Sequence, residues 1–225
     1  SGEALSGEDG TPIDMEKTDF IAEKLKQIYE LGIQIAVVVG AGNIWRGNMG
    51  LGRGMDRTTA DHMGMIGTVM NGLALRDALE RRNVAARVQT AIQMNEVAEP
   101  YIRLRAIRHM EKERVVILAG GTGNPYFTTD SAAALRANEL EVDIVIKATK
   151  VNGVYSDDPF KNPNAVRYSQ LTYQEVLTQK LNVMDMTAFT LCEENNMPIL
   201  VVNFWEDDNL LRAIKGEVEV GTLIK

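Results

Sequence analysis

Three glycine-bearing loops carry the residues best suited to handling a phosphate. The longest, "GGTGNPYFTTD", runs from Gly120 to Asp130 between an apolar run and an alanine-rich helical pattern. Gly120, Gly121 and Gly123 permit backbone angles closed to other residues, and Asn124-Pro125 stiffens the turn. Thr128, Thr129 and Asp130 then open a helix, where hydroxyls and free N–H groups form a natural anion site. An N-capping Thr or Asp explains the same residues with no ligand. In "VVVGAGNIWRG", Gly40, Ala41, Gly42 and Asn43 turn the chain toward Arg46, whose guanidinium can give two charge-assisted bonds to phosphate oxygens. A tight strand-to-helix turn with a solvated Arg is the plainer alternative. In "IKATKVNGVYSDDP", Lys147 and Lys150 flank Thr149 and could neutralise phosphates, while Tyr155 could cover a base; in a water-exposed loop they would simply be solvated. No Gly-Lys-Ser/Thr follows the spacing of a Walker A loop, and no strand leads into "MGLGRG", so neither standard nucleotide fingerprint is present.

The elements that must hold these loops are readable from periodicity. Short β-branched runs, "IQIAVVV", "VAARVQTA", "RVVILA", "VDIVIKA" and "PILVVNF", alternate with helical patterns, which predicts a mainly parallel sheet covered by helices. Ligands in such folds collect beyond the carboxyl ends of the strands, where the three loops fall. From Asp56 to Arg82, Met63, Ile66, Met70, Leu73 and Leu79 recur at helical spacing with Gly64, Gly67 and Gly72 among them. Glycine costs about 1 kcal/mol in a helix relative to alanine, so these three point to close backbone approach, either in the core or also across a subunit interface. The turn-rich stretch "YSDDPFKNPNAVRYSQLT" is a candidate subdomain boundary.

Bulk properties narrow the partners. The 225 residues are 45% hydrophobic, ample for a packed core, and the formal charge is -7. An acidic chain does not offer the clustered Lys and Arg that nucleic acid or an anionic membrane requires. The apolar runs are too short to span a bilayer. The lone Cys192 sits in an apolar pattern and reads as a buried reduced thiol, consistent with a cytoplasmic setting. His62 and His109 are too few for a protein-ligated zinc site and read as structural. The opening "SGEALSGEDG" lacks an initiator Met, and a preceding N-terminal strand is expected.

In order, "SGEAL", "GAGNIWRG", "DHMGMIGTVMNGLALRDAL", "GGTGNPYFTTDSAA", "ATKVNGVYSDDP" and "MDMTAFTLC" closely resemble the bacterial uridylate kinases of the amino acid kinase superfamily, over essentially the whole chain. The resemblance implies a single α/β domain folded as a three-layer αβα sandwich around a mainly parallel sheet. Its UMP-binding part would span approximately 1–140 and its ATP-binding part 141–225. It also implies a homohexamer that transfers the ATP γ-phosphate to UMP, with Mg²⁺ accompanying ATP, GTP activating and UTP inhibiting.

Carried over residue by residue, the resemblance places Ser1 and Gly2 at the ATP phosphates, with Gly42 and Arg46 beside the phosphate in transfer. Ala41, on the UMP side, stands where most members carry glycine, a mild departure because alanine demands negative φ. Asp61 would take the ribose hydroxyls. Thr122, Gly123, Asn124, Pro125, Tyr126, Phe127, Thr128 and Thr129 would form the UMP loop. Thr149, Asn152, Tyr155 and Asp158 would line the adenosine side. Asp130 and Asp185 would be polar supports near the reaction centre, and Arg76, Arg87 and Arg114 would meet GTP. The family motif runs Lys-Leu-Ser-Gly and the sequence begins at its Ser, so the expected bridging lysine has no counterpart to number. The alternatives are an amino-acid or carbamate kinase on the same scaffold and a non-catalytic nucleotide- or oxyanion-binding module.

Overall fold

The computed structural model describes residues 2–225. They form two compact units, divided between Ala132 and Ala133. In the first, a 3-10 turn at Gly2–Leu5 leads to α1 (Met15–Tyr29), β1 (Ala36–Val38), α2 (Gly47–Leu51), α3 (Arg57–Glu80), β2 (Ala86–Thr90), β3 (Glu99–Pro100), α4 (Arg103–Glu111) and β4 (Val115–Ala119). Helix α5 (Thr129–Leu140) begins in this unit and runs into the next. The sheet order is β1-β4-β2-β3, with every pairing parallel. The unbroken apolar run of β4 follows from its place between two strands: all of Val115–Ala119 is buried. Ile117 is in register with Val37 on one side and Val88 on the other.

Helix α3 lies against β2 and β4. Its start is set by Asp56, whose carboxylate accepts from the Thr59 N–H, an N-cap that satisfies one of the first turn's orphan donors. The close approach expected of its glycines is present inside the unit. A methyl on Gly72 would sit 3.3 Å from Ile117 Cγ2, and one on Gly67 would sit 2.9 Å from Ala41 Cβ. Gly64 has more room, with Trp45 Cδ1 at 3.9 Å.

The second unit contains β5 (Val145–Thr149), β6 (Gln170–Leu171), α6 (Tyr173–Thr178), α7 (Met186–Glu194), β7 (Ile199–Asn203), α8 (Asn209–Ile214) and β8 (Gly221–Ile224). Its sheet runs β5-β7-β8-β6, parallel except where β8 meets β7. Strand β8 has no counterpart among the apolar runs singled out from sequence. The long turn-rich excursion is a loop of this unit, closed by an antiparallel bridge between Tyr155 and Arg167. Phe189, Cys192, Ile199 and Ile224 are core residues, and Tyr173 packs edge-on to Phe189 with ring centroids 5.2 Å apart. Burial pushes the Cys192 thiol up to about 11, so it is protonated and inert at neutral pH, as its apolar surroundings in the sequence imply.

Candidate active site

At the carboxyl ends of β1 and β4 the first unit gathers the glycine loops. Around the turn after β1, two glycines are packed so closely that a side chain is excluded at each. A methyl on Gly2 would lie 2.6 Å from Asn43 Oδ1, and one on Gly40 would lie 2.9 Å from Thr129 Oγ1. Gly2, Gly40 and the first residue of α5 therefore meet, as an anion site built on a helix N-terminus requires. Arg46 stands at the rim: its Nε donates to the Gly42 carbonyl at 3.2 Å, and an Nη donates to Glu3 Oε1 at 2.5 Å. Ser1 lies outside the described residues.

Three polar side chains on α3 hold these loops in place. Asn71 is fully buried, donating to the Gly40 carbonyl and to Asn43 Oδ1, both at 2.7 Å; Asn43 returns a bond to Asn71 Oδ1 at 2.9 Å. One turn earlier, buried Thr68 accepts from the Gly120 N–H at 2.7 Å and donates to the Met65 carbonyl. Near the helix start, Asp61 Oδ2 accepts from the Tyr126 N–H and from Arg57 Nε, each at 2.8 Å. Asn71, Thr68 and Arg57 were not among the residues expected from sequence. The available signal was two polar residues on a face otherwise built from Met65, Val69 and Leu75, because a buried polar group persists only with partners.

The loop before α5 is shaped by its own hydroxyls. Thr122 Oγ1 accepts from the Asn124 N–H and donates to the Asn124 carbonyl, closing a turn. Gly120, Gly121 and Gly123 take positive φ, and so does Tyr126, at 73°. Tyr126 and Phe127 are exposed. The cap of α5 is Thr128, whose Oγ1 accepts from the Ser131 N–H at 3.1 Å. Asp130 stands inside the first turn and is not that cap, so the capping explanation falls on Thr128. Ala41 is buried and absent from the positive-φ residues, so its methyl fits the turn.

In the second unit, Thr149 Oγ1 accepts from the Val151 N–H at 3.1 Å and donates to the Val151 carbonyl at 2.8 Å. Asn152 Oδ1 accepts from Asn203 Nδ2, and the Asn152 carbonyl accepts from Arg167. Asp158 pairs with Lys161 at 3.3 Å and accepts from the Phe160 N–H. Asp185 is the N-cap of α7, accepting from the Ala188 N–H at 3.0 Å. These residues share β5, the bridged loop beyond it, and α7.

Arg76, Arg87 and Arg114 belong to one network of ion pairs and hydrogen bonds. Glu80 lies 4.0 Å from Arg76 and 3.4 Å from Arg87; Arg87 approaches Glu99, which accepts from His109 Nε2 at 2.9 Å, and Arg114 lies 3.2 Å from His109 Nδ1. Burial works to raise the Glu99 carboxyl, but bonds from His109 and Gln89 outweigh it and leave it below its ordinary range. His109 is thus a network residue, whereas His62 is exposed on α3.

Residues 1–203 match the amino acid kinase family. Among solved structures, a UMP kinase from Bacillus anthracis is 41% identical with a TM-score of 0.96, covering 100% of this chain and 92% of that one. A UMP kinase from Ureaplasma parvum is 40% identical with a TM-score of 0.94, covering 100% and 95%. A uridylate kinase from Archaeoglobus fulgidus is 30% identical with a TM-score of 0.74, covering 94% of each chain.

Proposed function

Because this chain belongs to the amino acid kinase family, we propose that it transfers the γ-phosphate of ATP to UMP, giving UDP. The observation that carries the reading is the meeting of Gly2, Gly40 and Thr129 beside a loop tied to Asp61. A phosphate and a ribose need those two kinds of group: clustered N–H donors for the one and a carboxylate acceptor for the other. The full-length likeness to two UMP kinases at 41% and 40% identity supports the choice of acceptor.

The acceptor oxygen of UMP is already anionic, so the reaction needs alignment and charge neutralisation more than a general base. Arg46 neutralises the group in transfer, and Gly2 and Gly42 allow the donor phosphates to approach the backbone. Thr129 holds the UMP phosphate at the start of α5, and residues 122–129 close over the nucleotide. Thr149, Asn152, Tyr155 and Asp158 form the adenosine side, which makes residues 141–225 the ATP-binding part and 1–140 the UMP-binding part. Asp130 and Asp185 act as polar supports. Among the described residues no three acidic, His or Cys side chains are grouped as a cation site. Mg²⁺ would come in with ATP and be held mainly by phosphates and waters, where it would shield the phosphate charge.

Arg76, Arg87 and Arg114 form the GTP effector site, UTP is the opposing effector, and the working assembly is a cytoplasmic homohexamer. An exposed apolar row on α3, Met63, Ile66 and Met70, supports self-association.

A coupled assay with UMP, CMP, glutamate and carbamate as acceptors tests the reaction. UMP should turn over; failure of UMP with turnover of another acceptor would replace the reading with a different kinase on this scaffold. Calorimetric binding of ATP or UMP without UDP formation would make the protein a binding module. Arg46→Ala should lower kcat by roughly a hundredfold or more, and unchanged turnover would remove Arg46 from the chemistry.

A further inference from the structure

We propose that Arg57 is a positioning residue for the acceptor nucleotide, locking the Asp61 carboxylate and the loop at Tyr126 into one unit that grips the ribose. The proposal rests on the UMP reading of Asp61 above. Arg57 is the first residue of α3, and its Nε donates to Asp61 Oδ2 at 2.8 Å. By itself this would be an ordinary pair one helical turn apart. Two further contacts set it apart. The same oxygen accepts from the Tyr126 N–H, 65 residues away in sequence, at 2.8 Å. The Arg57 guanidinium also lies over the Tyr126 ring, 5.2 Å from its centroid.

The consequence for Asp61 is a division of labour between its oxygens. Two donors on Oδ2 stop the carboxylate from rotating. Among the described residues Oδ1 accepts no hydrogen bond, although the carboxylate is largely sheltered, with 16% of its side chain exposed. One oxygen is committed to the protein and one is presented to a hydroxyl-bearing ligand. Tyr126 is held in the left-handed region, which a non-glycine residue adopts only when its surroundings compensate. Its N–H bond to Asp61 and the cation over its ring supply that compensation; Arg57 shares the acceptor of the first and is the partner in the second. Lysine cannot replace it, since an ammonium offers neither an Nε–H at this angle nor a flat face for the ring.

The test is steady-state kinetics on the full chain with UMP and dUMP as acceptors. Arg57→Ala should raise KM for UMP by about tenfold while leaving KM for ATP unchanged and kcat near the wild-type value. The preference for UMP over dUMP, read as the ratio of kcat/KM values, should shrink, because the acceptor of the 2′-hydroxyl is no longer fixed. Arg57→Lys should behave like the alanine variant; full rescue by lysine would mean that charge alone matters and would overturn the proposal. Equal increases in KM for ATP and UMP, or a loss confined to thermal stability, would make Arg57 structural and would also overturn it. Should the alanine variant fail to fold, Arg57→Lys and Arg57→Gln carry the same readouts. If the wild-type protein does not phosphorylate UMP, the functional reading fails; if it does and Arg57→Ala keeps its KM and selectivity, only the role of Arg57 fails.

Discussion

Asn71 shows how much a single buried amide can organise. Its carboxamide serves the Gly40 carbonyl and Asn43 at once, so removing it strands the buried Gly40 carbonyl and takes a partner from half-buried Asn43. A buried polar group left unsatisfied costs about 1–3 kcal/mol. Asn71→Ala should therefore lower stability by about that amount in urea unfolding, and it should reduce kcat because the turn carrying Gly42 and Arg46 loses its anchor. An unchanged kcat in a destabilised variant would separate the anchor from catalysis. Residues of this kind are hard to find from sequence. The glycines, threonines and arginines of the loops announce themselves by type, and Asp61 was identified through the family likeness. Asn71, Thr68 and Arg57 sit within a helix whose periodic apolar pattern draws attention to its other positions, and their partners lie 31, 52 and 65 residues away from Asn71, Thr68 and the Arg57-bound Asp61.

At the scale of elements, α3 explains the pairing of Ala41 with Gly67. The methyl of Ala41 already fills the space that a side chain on Gly67 would need, with the two Cβ positions 2.9 Å apart. Helix propensity alone favours Gly→Ala by about 1 kcal/mol, so the sign of the measured change decides which effect wins. Gly67→Ala should lower the melting temperature, whereas Gly64→Ala, with 3.9 Å of clearance, should raise it. Combining Gly67→Ala with Ala41→Gly should recover most of the loss, and simple additivity in that double-mutant cycle would show that the two positions do not share the space. The main strands and α3 were legible because long apolar runs and helical spacing leave strong signals. Strands β3 and β6 have two residues each, too few for any period. Strand β8 depends on Gly221, where a side chain would press on the Val201 carbonyl; its pairing with β7 comes from that long-range fit rather than from local pattern.

At the scale of the whole molecule, α3 has two faces with different duties. The inner face carries Thr68 and Asn71, while Met63, Ile66 and Met70 are 38%, 47% and 50% exposed at helical spacing. If copies of the chain associate through this row, Ile66→Glu places a charge in a surface that must be desolvated, and light scattering should report a smaller particle than the wild type. An unchanged mass would exclude the row from the assembly. The same helix carries Asp61 and Thr68, which engage the Gly120–Asp130 loop at Tyr126 and Gly120, and Asn71, which engages the turn after β1. A helix turns by about 100° and advances by about 1.5 Å with each residue, so one residue inserted or deleted between Asp61 and Asn71 would swing one end of this set away from its loops. A substitution on the outer face of α3 leaves these anchors in register, but the helix's length between those positions is as constrained as the spacing of teeth on a key.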